Sequence, residues 1–102
     1  MAADDVNAPL KTSLPAESDM APLVELYVQE LPPRIASLES AINQKDPALV
    51  RRLAHQLRGS GSSYGFPLIT ETAQQLEESL IQNAPWEDLA NRLLSILRRV
   101  TL

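Results

Sequence analysis

Aliphatic residues recur at intervals of three and four along most of this chain, and no stretch alternates with a period of two. Prolines cut the pattern into pieces: Pro22, Pro32–Pro33, Pro47, Pro67 and Pro85 each stand at or near the start of an apolar run. In the first turn of a helix a proline's missing N–H has no partner to lose, whereas in a helix interior the ring breaks the ladder. The pattern therefore predicts several short amphipathic helices and no sheet. Aromatic residues make up only 4% of the chain against 44% apolar residues in all, so leucine, isoleucine, valine and alanine must fill the core. That composition favours helix packing, and 102 residues suit one domain with one core.

Each piece has its own face. "SDMAPLVELYVQEL" predicts a short leading helix capped by Ser18 or Asp19, with Leu23, Leu26, Tyr27 and Leu31 as its stripe. "PPRIASLESAINQ" follows with Ile35, Leu38 and Ile42 inward, either as a separate helix or as the continuation of the first beyond a bend at Pro32–Pro33. "DPALVRRLAHQLRGSGSSYG" begins with Asp46 as cap and Pro47 at the first helical position. "PLITETAQQLEESLIQN" offers Leu68, Ala73, Leu76 and Leu80 to the core. "PWEDLANRLLSILRRV" starts near Pro85 and offers Trp86, Leu89, Leu93, Leu97 and Val100, with Arg98 and Arg99 at its negative C-terminal end. Short connections make such helices antiparallel neighbours. The expected fold is all-α: an antiparallel up-down four-helix bundle over residues 19–102, with a short additional N-terminal helix. Residues 1–18 are acidic, polar and without period, and are expected to be a disordered tail or linker.

Several classes of function fall away. Cysteine is absent, which removes disulfides and thiolate metal sites and suits a reducing compartment. A formal charge of −4 opposes general nucleic-acid binding. No apolar run approaches the ~18–20 residues that span a bilayer, and the N-terminus lacks the basic start and apolar centre of a signal peptide. A cytoplasmic, monomeric chain without nucleic-acid or membrane partners is expected. "GSGSSYG" has the glycines of a phosphate loop but follows a helix and lacks the lysine, and no nucleophile–base arrangement surrounds the lone histidine. One histidine is too few for a metal site. The chain is expected not to be an enzyme and to hold no cofactor.

That histidine, His55, is followed within ten positions by all three glycines, Gly59, Gly61 and Gly65. At about 100° per residue, Val50, Leu53, Leu57 and Tyr64 point one way and His55 nearly the opposite way, out to solvent. Arg51, Arg52, Arg58, Gly59 and Ser62 share its face, so three of the seven arginines gather there on an acidic protein. Their charge disfavours a protonated ring and attracts an anion, and Arg58 is placed to pair with phosphoryl oxygens. A plain solvated face is the other reading of Arg51, Arg52 and Arg58. Gly59 leaves open space beside the ring, Gly61 falls on the core side where it permits close helix approach, and Gly65 ends the helix as a C-cap. Folding the next helix back from Gly65–Phe66 brings residues 75 to 77 level with His55. Glu77, at the edge of the apolar stripe, could then accept a hydrogen bond from the ring and fix its tautomer, with Gln74 as the competing candidate.

The stretch "HQLRGSGSSYG" resembles the signature of the histidine phosphotransfer (HPt) domain, H-x-x-K-G followed after five residues by G. His55, Gly59 and Gly65 match, and Arg58 stands where the family usually has lysine; its forked, bulkier head leaves its handling of phosphate open to difference. The residue that supports the histidine in relatives, twenty-two positions on, falls at Glu77. "GF" and that glutamate look most like the phosphotransfer domain of chemotaxis kinases, and the upstream segment looks more like the domains attached to hybrid sensor kinases. The resemblance covers about residues 20 to 100. It implies that His55 takes a phosphoryl group from one receiver-domain aspartate and passes it to another, with Mg2+ held by the receiver. Receiver domains of response regulators and a hybrid sensor kinase are the implied partners, for a free-standing shuttle or a module of a larger kinase. A small helical adaptor that binds its partner without phosphorylation is the alternative.

Overall fold

The computed structural model describes residues 8–102. Among the described residues there are five α-helices, α1 Ala21–Gln29, α2 Leu31–Asn43, α3 Pro47–Ser60, α4 Pro67–Ile81 and α5 Glu87–Arg99, and a 3-10 turn at Ser62–Tyr64. There is no strand among the described residues, only one isolated parallel bridge between Leu10 and Val100. Helices α2, α3, α4 and α5 form a closed ring of contacts, α2 with α3, α3 with α4, α4 with α5, and α5 with α2. Their inward faces make one continuous core of Leu38, Ala41, Val50, Ala54, Leu57, Ile69, Ala73, Leu76, Ala90, Leu93 and Leu97, with Phe66 sealing the α3–α4 turn. No helix among the described residues is long and apolar enough to cross a membrane.

The ends of the helices follow from local chemistry. Asp46 accepts the amide of Leu49 at 3.2 Å, with Pro47 beside it in the first turn. Helices α2 and α4 stop where Lys45 (φ 52°) and Asn83 (φ 56°) turn left-handed, which lets Asp46 N–H reach the Ala41 carbonyl and Ala84 N–H the Ser79 carbonyl. Between α1 and α2 the ladder is interrupted at Glu30, two residues ahead of Pro32, because neither proline can donate back and each ring crowds the carbonyl four residues earlier.

Several expectations need correction. In α1 the buried residues are Val24 and Tyr27, with Leu31 buried at the start of α2, while Leu23 and Leu26 are 48% and 51% exposed. Two apolar stripes compete on this helix, and the phase is decided by Tyr27, whose ring stacks on Tyr64 with centroids 4.5 Å apart. Its N-cap is Met20 with no side-chain cap, although Ser18 Oγ accepts the Met20 amide. Helix α3 stops at Ser60 and not at Tyr64; Tyr64 and Leu53 are half-buried at the rim of the core. In α4 the buried face is Ile69, Thr72, Ala73, Leu76 and Glu77, with Leu68 and Leu80 flanking it. Helix α5 opens at Glu87 with Trp86 as its cap, two residues later than Pro85 suggests.

The N-terminal tail, expected to be disordered up to residue 18, differs as well. Residues 1–7 lie outside the described residues, but from Ala8 onward the chain is strapped to the bundle. Leu10 exchanges backbone hydrogen bonds with Arg99 and Thr101 (2.8 and 3.0 Å), Arg99 Nε donates to the Ala8 carbonyl, and Ser13 N–H donates to the Gly65 carbonyl. Thr12 Oγ1 donates to the Tyr64 carbonyl at 2.7 Å, and Leu10 and Leu14 pack on the core. Gly65, at φ 86°, must be glycine twice over, since a Cβ would also strike Thr12.

Candidate functional site

The cap at Asp46 sets the phase of α3, and the burial of Val50, Ala54 and Leu57 turns His55 outward. The imidazole is 70% exposed. Its Nδ1 lies 2.9 Å from Glu77 Oε2, on the facing side of α4. The Glu77 side chain is only 8% exposed, and its second oxygen, Oε1, accepts a hydrogen bond from Arg58 Nη1, also at 2.9 Å. One carboxylate therefore joins the ring and the guanidinium. Glu77 reaches this position because Leu76 and Ala73 bury the adjoining face of α4, which leaves the next residue at the edge of the α3–α4 seam. Gln74, the competing candidate, is exposed and donates to Glu78 instead.

The electrostatics of the cluster fix the direction of the ring bond. The Arg58 hydrogen bond holds the Glu77 carboxyl below the ordinary range, outweighing the burial that pushes it up, and the His55 bond adds to the lowering. Glu77 is covered while the two groups it pairs with are not, the His55 and Arg58 side chains being 70% and 46% exposed. An ionised carboxylate has lone pairs and no proton, so Nδ1 is the donor. In the neutral ring this leaves the lone pair on Nε2, which no protein group among the described residues engages.

The other residues singled out from sequence occupy distinct places. Arg51 and Arg52 are exposed one turn before His55 and make no ion pair among the described residues. Arg58, expected to reach toward an incoming anion, is turned onto Glu77. A Cβ at Gly59 would meet nothing within 4 Å, whereas one at Gly61 would lie 2.8 Å from Thr70 Oγ1 and 2.9 Å from both Thr70 N and Ile69 Cβ. Ser62 is exposed in the 3-10 turn, off the wheel that placed it with His55, because α3 has already ended. Among the described residues there is no cluster of three or more His, Cys, Asp or Glu able to hold a metal ion.

Two supporting groups escape sequence reasoning. Tyr27 hydroxyl and Ser60 Oγ are 2.9 Å apart, tying α1 to the end of α3; burial pushes the phenol up, so it stays protonated. Thr70 Oγ1 donates to the Arg58 carbonyl and accepts from Ser62 N–H. The available signal for Thr70 is its place one turn into a helix already folded back on α3, but a hydroxyl names no partner until the two helices are close.

The family model described as Hpt domain matches residues 22–101. No curated protein matches the chain. No solved structure matches it.

Proposed function

Since this chain belongs to the Hpt domain family, we propose that its phosphoryl acceptor is Nε2 of His55. The family serves histidine phosphotransfer in phosphorelays; its members carry the group and do not catalyse a reaction of their own, and they interact with response regulators. For this chain the observation that carries the reading is the Nδ1–Glu77 bond under an exposed ring, which leaves Nε2 as a directed nucleophile. The Nε2 lone pair attacks phosphorus of a receiver's aspartyl phosphate, the aspartyl oxygen–phosphorus bond breaks, and the aspartate leaves as carboxylate. Nδ1–H stays on Glu77 throughout, so the positive charge that develops on the ring is met by a fixed carboxylate. The second transfer runs the same steps backwards onto another receiver, whose acidic pocket supplies Mg2+.

Phosphoryl transfer depends chiefly on positioning and charge. Arg58 is two-sided in this respect: one guanidinium nitrogen binds Glu77, and the half-exposed remainder has further donors for a phosphoryl oxygen. Arg51, Arg52, Gly59 and Ser62 form the surrounding contact face for an acidic receiver. The up-down antiparallel order of α2 to α5 belongs to the same proposal, supported by their closed ring of contacts and short connections, as does work in the cytoplasm, free-standing or within a hybrid sensor kinase.

The test is incubation of the chain with a receiver carrying labelled aspartyl phosphate. An acid-labile, base-stable label on the chain is expected, and His55→Gln should abolish it with unchanged helical circular dichroism, since the residue lies outside the core. Absence of label on the wild-type chain would overturn the carrier reading in favour of a helical adaptor.

A further inference from the structure

Helices α3 and α4 are tied by hydrogen bonds at two levels, and only one of them contains the Glu77 carboxylate. The other lies at the end of α3. In an uninterrupted helix the Ser62 N–H would donate to the carbonyl of Arg58. Here it donates to Thr70 Oγ1 at 2.8 Å, and the Thr70 hydroxyl donates in turn to the Arg58 carbonyl at 3.0 Å. A single hydroxyl from α4 is thus threaded into the last rung of α3, satisfying one of the carbonyls that a helix end leaves open. The helices are close enough here that Gly61 has no room for a Cβ. Its φ of −53° suits any residue, so the glycine serves space and not conformation.

Arg58 is consequently held at both ends, its carbonyl by Thr70 and its guanidinium by Glu77. Thr70 and Glu77 stand seven residues apart on α4, about two turns and about 10 Å, and share one face of it. Fixing α4 against α3 at Thr70 removes sliding of one helix along the other. A slide along the helix axes runs across the 2.9 Å contact between Nδ1 and Oε2, and about 2 Å of it would stretch the pair to about 3.5 Å, the edge of hydrogen-bond range. We infer that Thr70 is a positioning residue for His55: its hydroxyl, inserted between Ser62 and Arg58, sets the α3–α4 register that keeps Glu77 on Nδ1 and the lone pair on Nε2. The tautomer part of this inference stands by itself, while its kinetic part rests on the carrier reading above.

Thr70→Val keeps the branched shape and removes the hydroxyl; Thr70→Ser returns the hydroxyl without the methyl. In the 15N-labelled full chain in alkaline buffer, the ring nitrogens of His55 report the tautomer directly. The wild type should show the proton on Nδ1, Thr70→Val a mixture of both tautomers, and Thr70→Ser the wild-type pattern. Phosphoryl acceptance from a labelled receiver should fall about tenfold in Thr70→Val, as expected for a small misplacement of a reacting group, and recover in Thr70→Ser. Thr70→Ala gives the same reading should the valine variant lose its helical signal. A wild-type tautomer pattern in the hydroxyl-free variant would overturn the inference. A wild-type chain that takes no label, yet shows the tautomer shift in Thr70→Val, would overturn the carrier reading and leave this one standing.

Discussion

Gly59 and Gly61 are two residues apart at the end of one helix, yet they serve opposite needs. A side chain at Gly59 would enter open space; one at Gly61 would run into Thr70 and Ile69. Neither position has a left-handed backbone that demands glycine. The first lies on the face where His55 stands clear, the second on the face where α4 is drawn against α3. Access and rigidity thus come from two sides of the same turn, and the site needs both: a partner must reach the ring, and the ring must not drift from Glu77.

Matched substitutions should separate the two glycines. Gly61→Leu forces a side chain into backbone and should lower stability by about 1–3 kcal/mol or more, read as a shifted urea midpoint. A tolerated leucine would mean that the helices do not approach as closely as described. Glu77→Gln should come next, at about 1–2 kcal/mol near neutral pH, for loss of two charge-assisted bonds. This second effect has a pH signature. Because the folded state holds the Glu77 carboxyl below its ordinary value, the ionised side chain stabilises the fold fully above about pH 4.3, the unfolded carboxyl range. That contribution fades as pH falls through the lowered folded value. The gap in thermal midpoint between wild type and Glu77→Gln should therefore close progressively on acidification below about pH 4.3; a gap independent of pH would remove the charge from the account. The smallest effect is expected at Gly59→Leu, a gain of up to about 1 kcal/mol from helix propensity. The same variant should slow phosphoryl acceptance while its ring tautomer stays unchanged, and unaltered kinetics would dismiss the need for clearance beside the ring.

Much of the site was legible before any coordinates. The wheel placed His55 outward because a cap at Asp46 and aliphatic residues at Val50, Leu53 and Leu57 leave little freedom of phase. Counting back from the Gly65–Phe66 turn brought Glu77 level with it because both helices rise equally per residue. What the count left open was which of Gln74 and Glu77 faces the seam, and α4 decided it by burying Thr72 and Ala73. The sequence places Arg58 toward an anion, since nothing local says that a guanidinium will close on a carboxylate nineteen residues away.

The same division runs through the whole molecule. Helical periodicity, proline at helix starts, the Asp46 cap and the glycine at the α3–α4 turn act over a few residues, so the chain by itself determined that α2 to α5 are helices and which way most of their faces turn. Tertiary structure alone decided where two local solutions are nearly equal or where the partner is far along the chain. In α1, Tyr27 takes the inward place expected of it but Leu23 and Leu26 give way to Val24, and the Tyr64 ring on which Tyr27 stacks lies far along the chain. Residues 8–18 carry too few apolar groups to show a period, and they are ordered by backbone bonds to Arg99, Thr101 and Gly65 that exist only once the bundle has brought those groups together.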